Sequence, residues 1–445
     1  MSKPTVVVSC PADTYSGYGG RARDFVQGLI DLDKYEVKIL SQRWGNTRFG
    51  YLKDHGEDDL HSRLIYKLEE RPDIWIQITI PNEFQKVGKF NIGVTAGIET
   101  SVCDPSWIQG GNNMDVIFVS SNHAKDVLEN SKFEMADKNN PNNKQMLQLN
   151  TKVEVLFEGI RLDKYYNIKS DERTKLSEYL DTIPENFCYL LMGHWMQGEL
   201  GEDRKNIGYT IKTFLETFKN KMNRPALILK SHTSTTSILD RERMLDKIDE
   251  VRKTVKGSLP NIYLIHGEVN DAEINELYNH SKVKAFVSLT KGEGFGRPFL
   301  EFSTIGKPII ASNWSGHTDF LKDENIRYVT GTLEKVHKSA AVKNLILEEA
   351  SWFRPDDVDV ARAYKEVQKH YKRYSGLAKK QSSYVMRTFS YDKMVETLSN
   401  LMVQYIPDFP KQVELSLPKL NLPKLKKVGG DSTTQITLPK LKKLD

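Results

Sequence analysis

Two glutamates stand eight positions apart around a glycine turn, in the stretch KGEGFGRPFLEF at residues 291–302. Glu293 directly precedes Gly294, and Glu301 follows about two helical turns later. A buried or half-buried carboxylate is costly unless something binds it, so the pair indicates a site. A carboxylate can accept two hydrogen bonds from a vicinal diol such as ribose. The alternative interpretation is a solvated loop acid followed by a helix-surface acid.

The elements that would position this pair are short apolar runs that alternate with longer amphipathic stretches. Several runs are continuously hydrophobic, as expected of strands covered on both faces. The predicted strands form a first series at residues 5–9, 37–40, 74–80, 90–94, 116–120 and 153–157, and a second series at 187–192, 226–229, 262–265, 285–288 and 308–312. Strand–helix alternation in two series predicts two doubly wound α/β domains.

The glutamate pair fits the place where such sheets bind ligands, which is beyond the carboxyl ends of their strands. Residues 285–288 would be the strand, 290–296 the loop and 298–304 the start of a helix. Proline is suited to a first helical turn, and the N–H groups of a helix N-terminus attract anions. Gly294 and Gly296 would let the backbone approach a ligand closely.

Composition leaves room for two or three domains and excludes several classes of protein. The chain has 445 residues, of which 39% are hydrophobic and 28% charged, as in ordinary soluble globular proteins. No apolar run approaches the ~18 residues of a membrane span, and the N-terminus does not resemble a secretory signal. The three cysteines are far apart, which argues against disulfides or a zinc site and predicts a cytoplasmic location.

The positive charge is concentrated in a C-terminal tail. Residues 411–445 contain eight lysines and three acids, an excess that equals the net charge of +5 of the whole chain. The motif LPKL occurs there at 417–420, 422–425 and 438–441. Three interpretations are open: a solubilising end, an electrostatic hook for nucleic acid or another polyanion, or a peptide that docks on a partner protein.

Several segments together resemble the large family four of retaining GT-B glycosyltransferases. Beside EGFGRPFLE, which resembles the family's glutamate–seven–glutamate signature, they are GKPIIASNWSGHTDFL (306–321), VEVLFEGIRLDKYY (153–166), GEDRKNIGYTIKTF (201–214), LIHGEVNDAEINELY (264–278) and FSYDKMVETLSNLM (389–402). They follow one another in the family's order over roughly residues 1–405. TAGIET (95–100) and PSWI (105–108) resemble bacteriophage-encoded members.

The resemblance implies a GT-B fold, in which two Rossmann-like domains face a cleft and a C-terminal helix crosses back to the first domain. We expect an acceptor-side domain at 1–168, a nucleotide-sugar-binding domain at 169–389, a closing helix at 390–406 and the LPKL tail at 407–445. The implied activity is transfer of a hexosyl or pentosyl group from a nucleoside diphosphate sugar to a hydroxyl group, with retention of configuration. Neither a cofactor nor a metal is implied.

The resemblance also implies roles for individual residues. Arg204 and Lys205 would neutralise the donor diphosphate, as a metal does in other transferases. Glu301 would hold the ribose, and Glu293 would hold the transferred sugar. Further donor contacts would come from the turn and from the nucleobase loop, namely Gly294, Phe295, Gly296, Arg297, Gly267 and Val269.

A glycine-rich segment, SGYGGRARDFV at 16–26, follows the first predicted strand. Gly17, Gly19 and Ala22 fit the loose dinucleotide pattern, which alone is weak. The second strand runs into Ser41, Gln42 and Arg43 rather than into the acid that a nicotinamide enzyme uses for ribose. We therefore expect Gly17, Gly19 and Gly20 to cover the phosphates and sugar of the donor, with Arg21 and Arg23 near the cleft. An ordinary turn is the alternative.

One departure concerns the histidine that the family often places near the reacting sugar. At the comparable position this chain reads GVTAGIET (93–100) and offers Glu99, which we predict to contact the donor sugar or the acceptor. The acceptor itself is not encoded in a motif. A hydroxylated or hydroxymethylated DNA base fits a phage origin, and a cell-surface glycan or lipid precursor is the other option. A nucleotide-sugar epimerase and a non-catalytic sugar-nucleotide-binding scaffold remain as alternatives.

Overall fold

A computed structural model of the chain describes residues 3–136, 144–168, 174–233 and 236–409. The predicted tail therefore lies almost wholly outside the described residues. The strands of the first half are β1 (Thr5–Cys10), β2 (Glu36–Ser41), β3 (Leu64–Ile65), β4 (Ile74–Ile78), β5 (Phe90–Thr95), β6 (Val116–Val119), β7 (Phe133–Ala136), β8 (Lys144–Leu147) and β9 (Lys152–Val155). Its helices are α1 (Gly17–Asp31), α2 (Tyr51–Asp54), α3 (Asp58–Ser62), α4 (Pro105–Gly111) and α5 (Asn122–Asn130).

The second half repeats the alternation. Its strands are β10 (Cys188–Met192), β11 (Ala226–Lys230), β12 (Ile262–Ile265), β13 (Val283–Ser288), β14 (Ile309–Ser312), β15 (Arg327–Val329), β16 (Gly331–Lys335) and β17 (Ser351–Pro355). Its helices are α6 (Lys175–Asp181), α7 (Ile207–Phe218), α8 (Ile238–Lys253), α9 (Asp271–Asn279), α10 (Arg297–Ser303), α11 (Asp357–Lys369), α12 (Tyr371–Thr388) and α13 (Tyr391–Tyr405).

Two parallel sheets organise the molecule. The first has the strand order β3-β2-β1-β4-β5-β6-β9 and the second the order β12-β11-β10-β13-β14-β15. In the first sheet Val7 of β1 pairs with Lys38 of β2 and with Trp75 of β4. Each order reverses direction beside its first strand, so the crevices for ligands lie after β1 and after β10. The predicted fold class, two Rossmann-like α/β domains, is confirmed.

The closing helix α13 returns to the first domain, as the fold class implies. Ser390 caps it by accepting a hydrogen bond from the Lys393 N–H. Its buried side chains include Met394 and Leu398, which pack against Gly28 of α1. The Tyr391 hydroxyl donates to Asp31, 2.7 Å away, so apolar and polar contacts both hold this helix on α1.

An arm from the second domain also reaches the first. It consists of the antiparallel pair β16–β17 and the segment 336–350 between them, with a small apolar core around Trp352. The Trp107 indole N–H donates to the Asn344 carbonyl over 2.8 Å, and the Ser101 N–H donates to the Ser351 carbonyl over 2.8 Å. The sequence analysis did not predict this hairpin, because every residue of β16 is exposed and the strand has no buried face.

The observed elements correct several predicted boundaries. The predicted strand 74–80 ends at Ile78, since a 3-10 turn at Pro81–Glu83 follows, and the predicted strand 153–157 ends at Val155. The stretch before β10 also contains the short helix α6. Among the described residues, no helix is long and apolar enough to cross a membrane.

Candidate functional site

The loop after β13 packs directly against the segment that follows β5. A Cβ atom on Gly292 would lie 2.0 Å from the Glu99 carbonyl oxygen, and one on Gly294 would lie 1.8 Å from the Ala96 carbonyl oxygen. The Ser121 hydroxyl donates to the Gly294 carbonyl over 2.6 Å. Only glycine permits this approach, so the GEG turn joins the two domains at the centre of the cleft.

Glu293, in this turn, lies in a cluster of opposite charges. Its two carboxylate oxygens accept hydrogen bonds from the Lys205 Nζ at 2.6 and 2.7 Å, and the Arg204 Nη1 lies 3.6 Å away. Arg204 also lies 3.5 Å from a Glu99 oxygen. Burial raises the pKa of Glu293, but Lys205 and Arg204 outweigh burial and bring the pKa to about 2. The structure therefore brings together the four residues that were predicted to be catalytic.

The loop before α7 explains how Arg204 and Lys205 reach this position. The Arg204 carbonyl accepts a hydrogen bond from the Lys291 N–H over 2.8 Å, and the Arg204 Nη1 donates to the Gly292 carbonyl over 3.0 Å. Asn206 has a positive φ of 57° and donates from its amide to the Leu289 carbonyl. The β10 and β13 loops are thus joined by backbone contacts, and both cations are directed at Glu293.

Glu301 lies on the next helix, α10, and is also buried. The Tyr278 hydroxyl donates to one of its oxygens over 3.1 Å, and the Arg297 Nε donates to the other over 3.0 Å. Burial raises the pKa of Glu301 to about 7, although Arg297 lowers it. The two glutamates therefore differ: Glu293 is held ionised, whereas Glu301 titrates near neutral pH.

Glu301 lines a cavity of about 280 Å³ between the two domains. Gly17 and Gly20 of α1 form part of the opposite wall, and a Cβ on Gly17 would meet nothing within 4 Å. Gly19 faces the other way: a Cβ there would lie 2.4 Å from the Thr14 carbonyl oxygen, so Gly19 serves the turn itself. The structure separates the three predicted glycines into two that border the cavity region and one that shapes the loop.

Arg297 connects three carboxylates. Its Nη1 lies 2.7 Å from Asp24 of the first domain and 3.7 Å from Glu158, and its Nε bonds Glu301. Its guanidinium is therefore already used in fixing Glu301 and in joining the domains. The predicted direct contact with a donor stays a prediction, and positioning of Glu301 is the role that these contacts support.

Of the two arginines that were expected near the cleft, Arg23 lines the cavity of Glu301, whereas Arg21 does not line it but interacts electrostatically with Glu158 and Arg297. Arg21 is buried and donates to the Leu156 and Phe157 carbonyls, so it secures the end of β9. Arg23 donates to the Ala12 and Thr14 carbonyls and lies 3.3 Å from the ring centroid of Tyr51.

A second cavity of about 660 Å³ adjoins the first and shares Tyr51 and Asp271 with it. The predicted nucleobase residues Gly267 and Val269 line it. The Lys230 Nζ donates to the Gly267 carbonyl over 2.8 Å, and burial lowers the pKa of Lys230 to about 8. Sequence reasoning did not find Lys230 or Tyr51, because neither belongs to a recognisable motif.

An ion pair spans the larger cavity. Arg48 of the first domain lies 3.1 Å from Glu268 of the second, and both are partly exposed. On the second-domain side, His232 lines the cavity, and the His194 ring lies behind it with a centroid distance of 4.0 Å. Burial and the neighbouring Lys230 lower the pKa of His232 to about 4, so this imidazole is neutral at neutral pH. The cavity thus combines fixed cations with a neutral ring.

Beside Glu99, the His123 ring hydrogen-bonds to the backbone of Ile98. The Tyr18 hydroxyl also lies at this segment, 3.1 Å from the Thr95 hydroxyl, and it accepts a hydrogen bond from the Ala96 N–H over 3.2 Å. Burial raises the pKa of Tyr18 to about 12, so its proton is retained. A tyrosine between two glycines gives no catalytic signal in the sequence, and this position could be found only from the fold.

Phe295, the remaining predicted donor residue, is buried in the core of the second domain and packs against Phe320. Its side chain therefore serves packing, and only its backbone remains for a donor contact. Within the described ranges, no group of three or more His, Cys, Asp or Glu side chains is placed to hold a metal ion.

Comparisons with known proteins agree with this geometry. Residues 256–350, which include both glutamates, match the family model described as Glycosyl transferases group 1. No curated protein matches the chain significantly. A glycosyltransferase from Rickettsia africae superposes with a TM-score of 0.61 at 13% identity, covering 92% of this chain and 100% of that one.

Two further solved structures share the fold. Sucrose-phosphate synthase from Thermosynechococcus elongatus has a TM-score of 0.58 at 12% identity, covering 90% of this chain and 98% of its own. Anabaena HepE in complex with UDP and glucose has a TM-score of 0.59 at 10% identity, covering 90% of this chain and all of its own. The chain thus has the GT-B fold, and part of its second domain is similar to group 1 glycosyltransferases.

Proposed function

We propose that the chain is a retaining, metal-independent glycosyltransferase that moves a sugar from a nucleoside diphosphate sugar to a hydroxyl acceptor. The observation that carries the proposal is the pair of buried glutamates at the interdomain contact. One of them is neutralised by Lys205 and Arg204 and the other lines a cavity. Buried charges of this kind are expected where a charged ligand is bound and turned over.

Each of these residues has its own proposed role in the transfer. Lys205 and Arg204 would bind the diphosphate and stabilise its negative charge as it leaves. Glu301, fixed by Arg297 and Tyr278, would accept hydrogen bonds from the ribose hydroxyls. Glu293 would hold the sugar. In the transfer step the bond from the anomeric carbon to the phosphate oxygen breaks and a bond to the acceptor oxygen forms on the same face. The acceptor proton passes to the leaving phosphate.

Metal independence is proposed because Lys205 and Arg204 would supply the positive charge that a divalent ion supplies in other transferases. The Lys205 Nζ and the Arg204 Nη1 both lie within 3.6 Å of Glu293. Diphosphate binding would draw Lys205 away from Glu293 and release that carboxylate toward the sugar. The expected result is activity that EDTA does not lower.

The donor and the acceptor stay open within this proposal. UDP-glucose is the first donor to test, because the similar Anabaena HepE was solved with it. The acceptor is proposed to be a hydroxylated DNA base, with a glycan or lipid precursor as the alternative. The cytoplasmic location, the phage origin and docking of a partner by the LPKL tail belong to the same proposal, with support from the sequence alone.

The test is a panel of nucleotide sugars read by thermal shift, since a ligand that binds the folded state stabilises it by RT ln(1 + [L]/Kd). A positive donor is then incubated with hydroxymethylated DNA or with glycan acceptors, and release of the nucleoside diphosphate is measured. Glu301→Ala should weaken donor binding and leave the KM for the acceptor nearly unchanged. Unchanged donor affinity in this variant would contradict the ribose assignment.

The same assay separates the rival functions. An epimerase would convert the donor with no acceptor present, and product analysis of the donor alone would detect the change. A non-catalytic scaffold would show a thermal shift but no nucleoside diphosphate release with any acceptor. Either result would overturn the proposed transferase activity while leaving the donor site intact.

A further inference from the structure

The helices α11 and α12 carry a dense run of exposed cations. Between residues 360 and 391 the sequence contains eight Lys or Arg and one acid, Glu366. We call the eight side chains the basic face, and all are exposed: Arg362, Lys365, Lys369, Lys372, Arg373, Lys379, Lys380 and Arg387. Because the chain outside the tail has no net charge, this local excess is compensated by acids elsewhere on the surface.

The α12 part of the face is linear and firmly supported. Arg373, Lys380 and Arg387 are spaced by seven residues and therefore lie on one side of the helix. They span about 21 Å at 1.5 Å per residue. The opposite side is anchored: the Gln381 amide donates to the Phe320 carbonyl over 2.6 Å, and the Ser382 hydroxyl donates to the Thr304 carbonyl over 2.8 Å. The cations thus stand on a rigid base.

The charges of the basic face are nearly all unpaired. Arg362 lies 3.5 Å from Asp359, and the other seven form no ion pair with any residue that the structure describes. Glu366, the one acid, accepts a hydrogen bond from the Arg327 Nε over 2.9 Å and so does not compensate the face. On α11, Arg362, Lys365 and Lys369 stand three and four positions apart, and like charges at this spacing destabilise a helix, so folding alone does not favour that part of the face.

We propose that the basic face binds the phosphodiester backbone of a nucleic acid. A line of cations about 21 Å long extends along a stretch of duplex that carries about six phosphates on each strand, because each strand has one phosphate per about 3.4 Å of helix axis. The exposed residues Gly376 and Ser383 lie between the cations and are small enough to allow close approach, and the Ser383 hydroxyl donates to the Lys379 carbonyl over 3.1 Å. Binding is predicted to be independent of base sequence, because these side chains have the length and chemistry to reach phosphates.

A lipid surface fits the face less well. Helices that lie on membranes present Trp, Phe or Leu toward the lipid beside their cations. In α12 the apolar side chains are instead turned inward, Tyr374, Ala378 and Val385 being buried, and Met386 is the exposed large apolar residue. None of the eight cations lines either interdomain cavity, so the proposal stands apart from the sugar transfer.

The test uses the full chain, without donor, and fluorescent 20-nucleotide single-stranded DNA, duplex DNA and RNA. Affinity is measured by anisotropy at 50 and 200 mM salt. With about five phosphate contacts, affinity should fall by two to three orders of magnitude between the two salt concentrations. The variant Arg373→Glu/Lys380→Glu/Arg387→Glu should bind at least tenfold more weakly at 50 mM salt, and its slope of log K against log salt should be smaller by about 2.7.

Two matched variants separate the basic face from charge in general. Lys221→Glu/Lys253→Glu/Lys256→Glu changes exposed lysines elsewhere on the second domain by the same total charge and should keep most of the affinity. Lys419→Glu/Lys424→Glu/Lys427→Glu does the same in the tail and should have less effect than the α12 variant. Equal losses in all three variants, or a loss confined to the tail variant, would overturn the proposal.

Two further measurements keep the result interpretable. Vesicles with and without anionic phospholipid test the other class of partner: binding to anionic vesicles but not to nucleic acid, lost in the α12 variant, would overturn the proposal. Circular dichroism and donor thermal shifts establish that the variants fold. If the Glu variant does not fold, Arg373→Gln/Lys380→Gln/Arg387→Gln should still lower the affinity several-fold, and full binding by this variant would also overturn the proposal.

Discussion

The interdomain cleft and the basic face both contain many charged side chains, but the charges are paired in the cleft and mostly unpaired on the face. In the cleft, Glu293 is matched by Lys205 at 2.6 Å and Arg297 by Asp24 at 2.7 Å, and these groups are largely buried. On the basic face, charges of one sign stand in water and only Arg362 has a carboxylate near it among the described residues. The cleft is neutralised within the protein, and the face is not.

Paired buried charges and unpaired exposed charges have different consequences for folding. A buried charge must be paired to be tolerated, so the pairs in the cleft contribute to folding whether or not a ligand binds. Exposed charges of one sign are not required for folding, and on α11 they weaken the helix that carries them. The cleft therefore agrees with the proposed site, in which ion pairs would rearrange around a donor, and the face agrees with a surface whose counter-charges would come from a partner.

The largest expected effect comes from breaking a pair in the cleft. Lys205→Met leaves the Glu293 carboxylate buried without its closest cation, and we expect the free energy of unfolding to fall by about 3 kcal/mol. Lys372→Met on the basic face removes an unpaired cation and should change it by less than about 0.5 kcal/mol. Urea denaturation of both variants measures the contrast.

The double variant Lys205→Met/Glu293→Gln provides the control for this prediction. Removing both charges should restore most of the lost stability, whereas transfer activity should stay absent because both proposed roles are gone. A Lys205→Met protein as stable as the wild type would show that water or Arg204, 3.6 Å from Glu293, already compensates that carboxylate.

The next prediction concerns the contributions of Glu293 and Glu301 to stability, which depend on pH in opposite directions. The folded pKa of Glu293, about 2, lies below its unfolded value, so its stabilising contribution is present above pH ~4.5 and is lost as the pH falls toward 2. The folded pKa of Glu301, about 7, lies above its unfolded value. Its contribution is therefore complete below pH ~4.5 and is lost as the pH rises through 7.

For donor binding the Glu301 titration has a direct consequence. If ribose is held by the ionised carboxylate, the donor affinity at pH 6 should be about tenfold weaker than its plateau above pH 8. Glu301→Gln should bind the donor weakly and without this pH dependence. Calorimetric titration at several pH values measures both, and a wild-type affinity that is flat between pH 6 and 8 would contradict ribose binding by the ionised form of Glu301.

Local patterns were enough to predict every strand of the two sheets except the short edge strands β3 and β15, and also the helix that begins beside Pro298. They also located the Glu293–Glu301 pair, because a glycine turn between a strand and a helix has a local signature. The approach of Glu99 to Arg204 could not be predicted from the residues alone, since it depends on how one domain packs on the other. The family resemblance drew attention to the positions of Glu99 and Arg204, and only the structure shows that the two side chains are in contact.

Two features could not be predicted from the sequence. Arg21 was expected near the cleft because it follows the glycine segment, but the carbonyls after β9 that accept hydrogen bonds from its guanidinium are brought to it only by the folded chain. The basic face was missed for a different reason. Acids elsewhere balance its charge in a sum over the chain, and the one-sided arrangement on α12 becomes visible only when helix positions and exposure are known.

The smallest expected effect tests whether the cations of the basic face repel one another in the folded chain. Lys365 lies three residues after Arg362 and four before Lys369 on α11, so Lys365→Glu replaces two repulsive pairs with two attractive ones. We expect the free energy of unfolding to rise by about 1 kcal/mol at low salt, and the gain to vanish near 1 M salt because the charges are screened. Lys365→Gln, which removes the repulsion without adding attraction, should give about half the gain, and nucleic-acid affinity should fall in the same order. A Lys365→Glu protein that is no more stable than the wild type at low salt would mean that the face is not repulsive in the folded chain, and its unpaired charge would then no longer point to a partner.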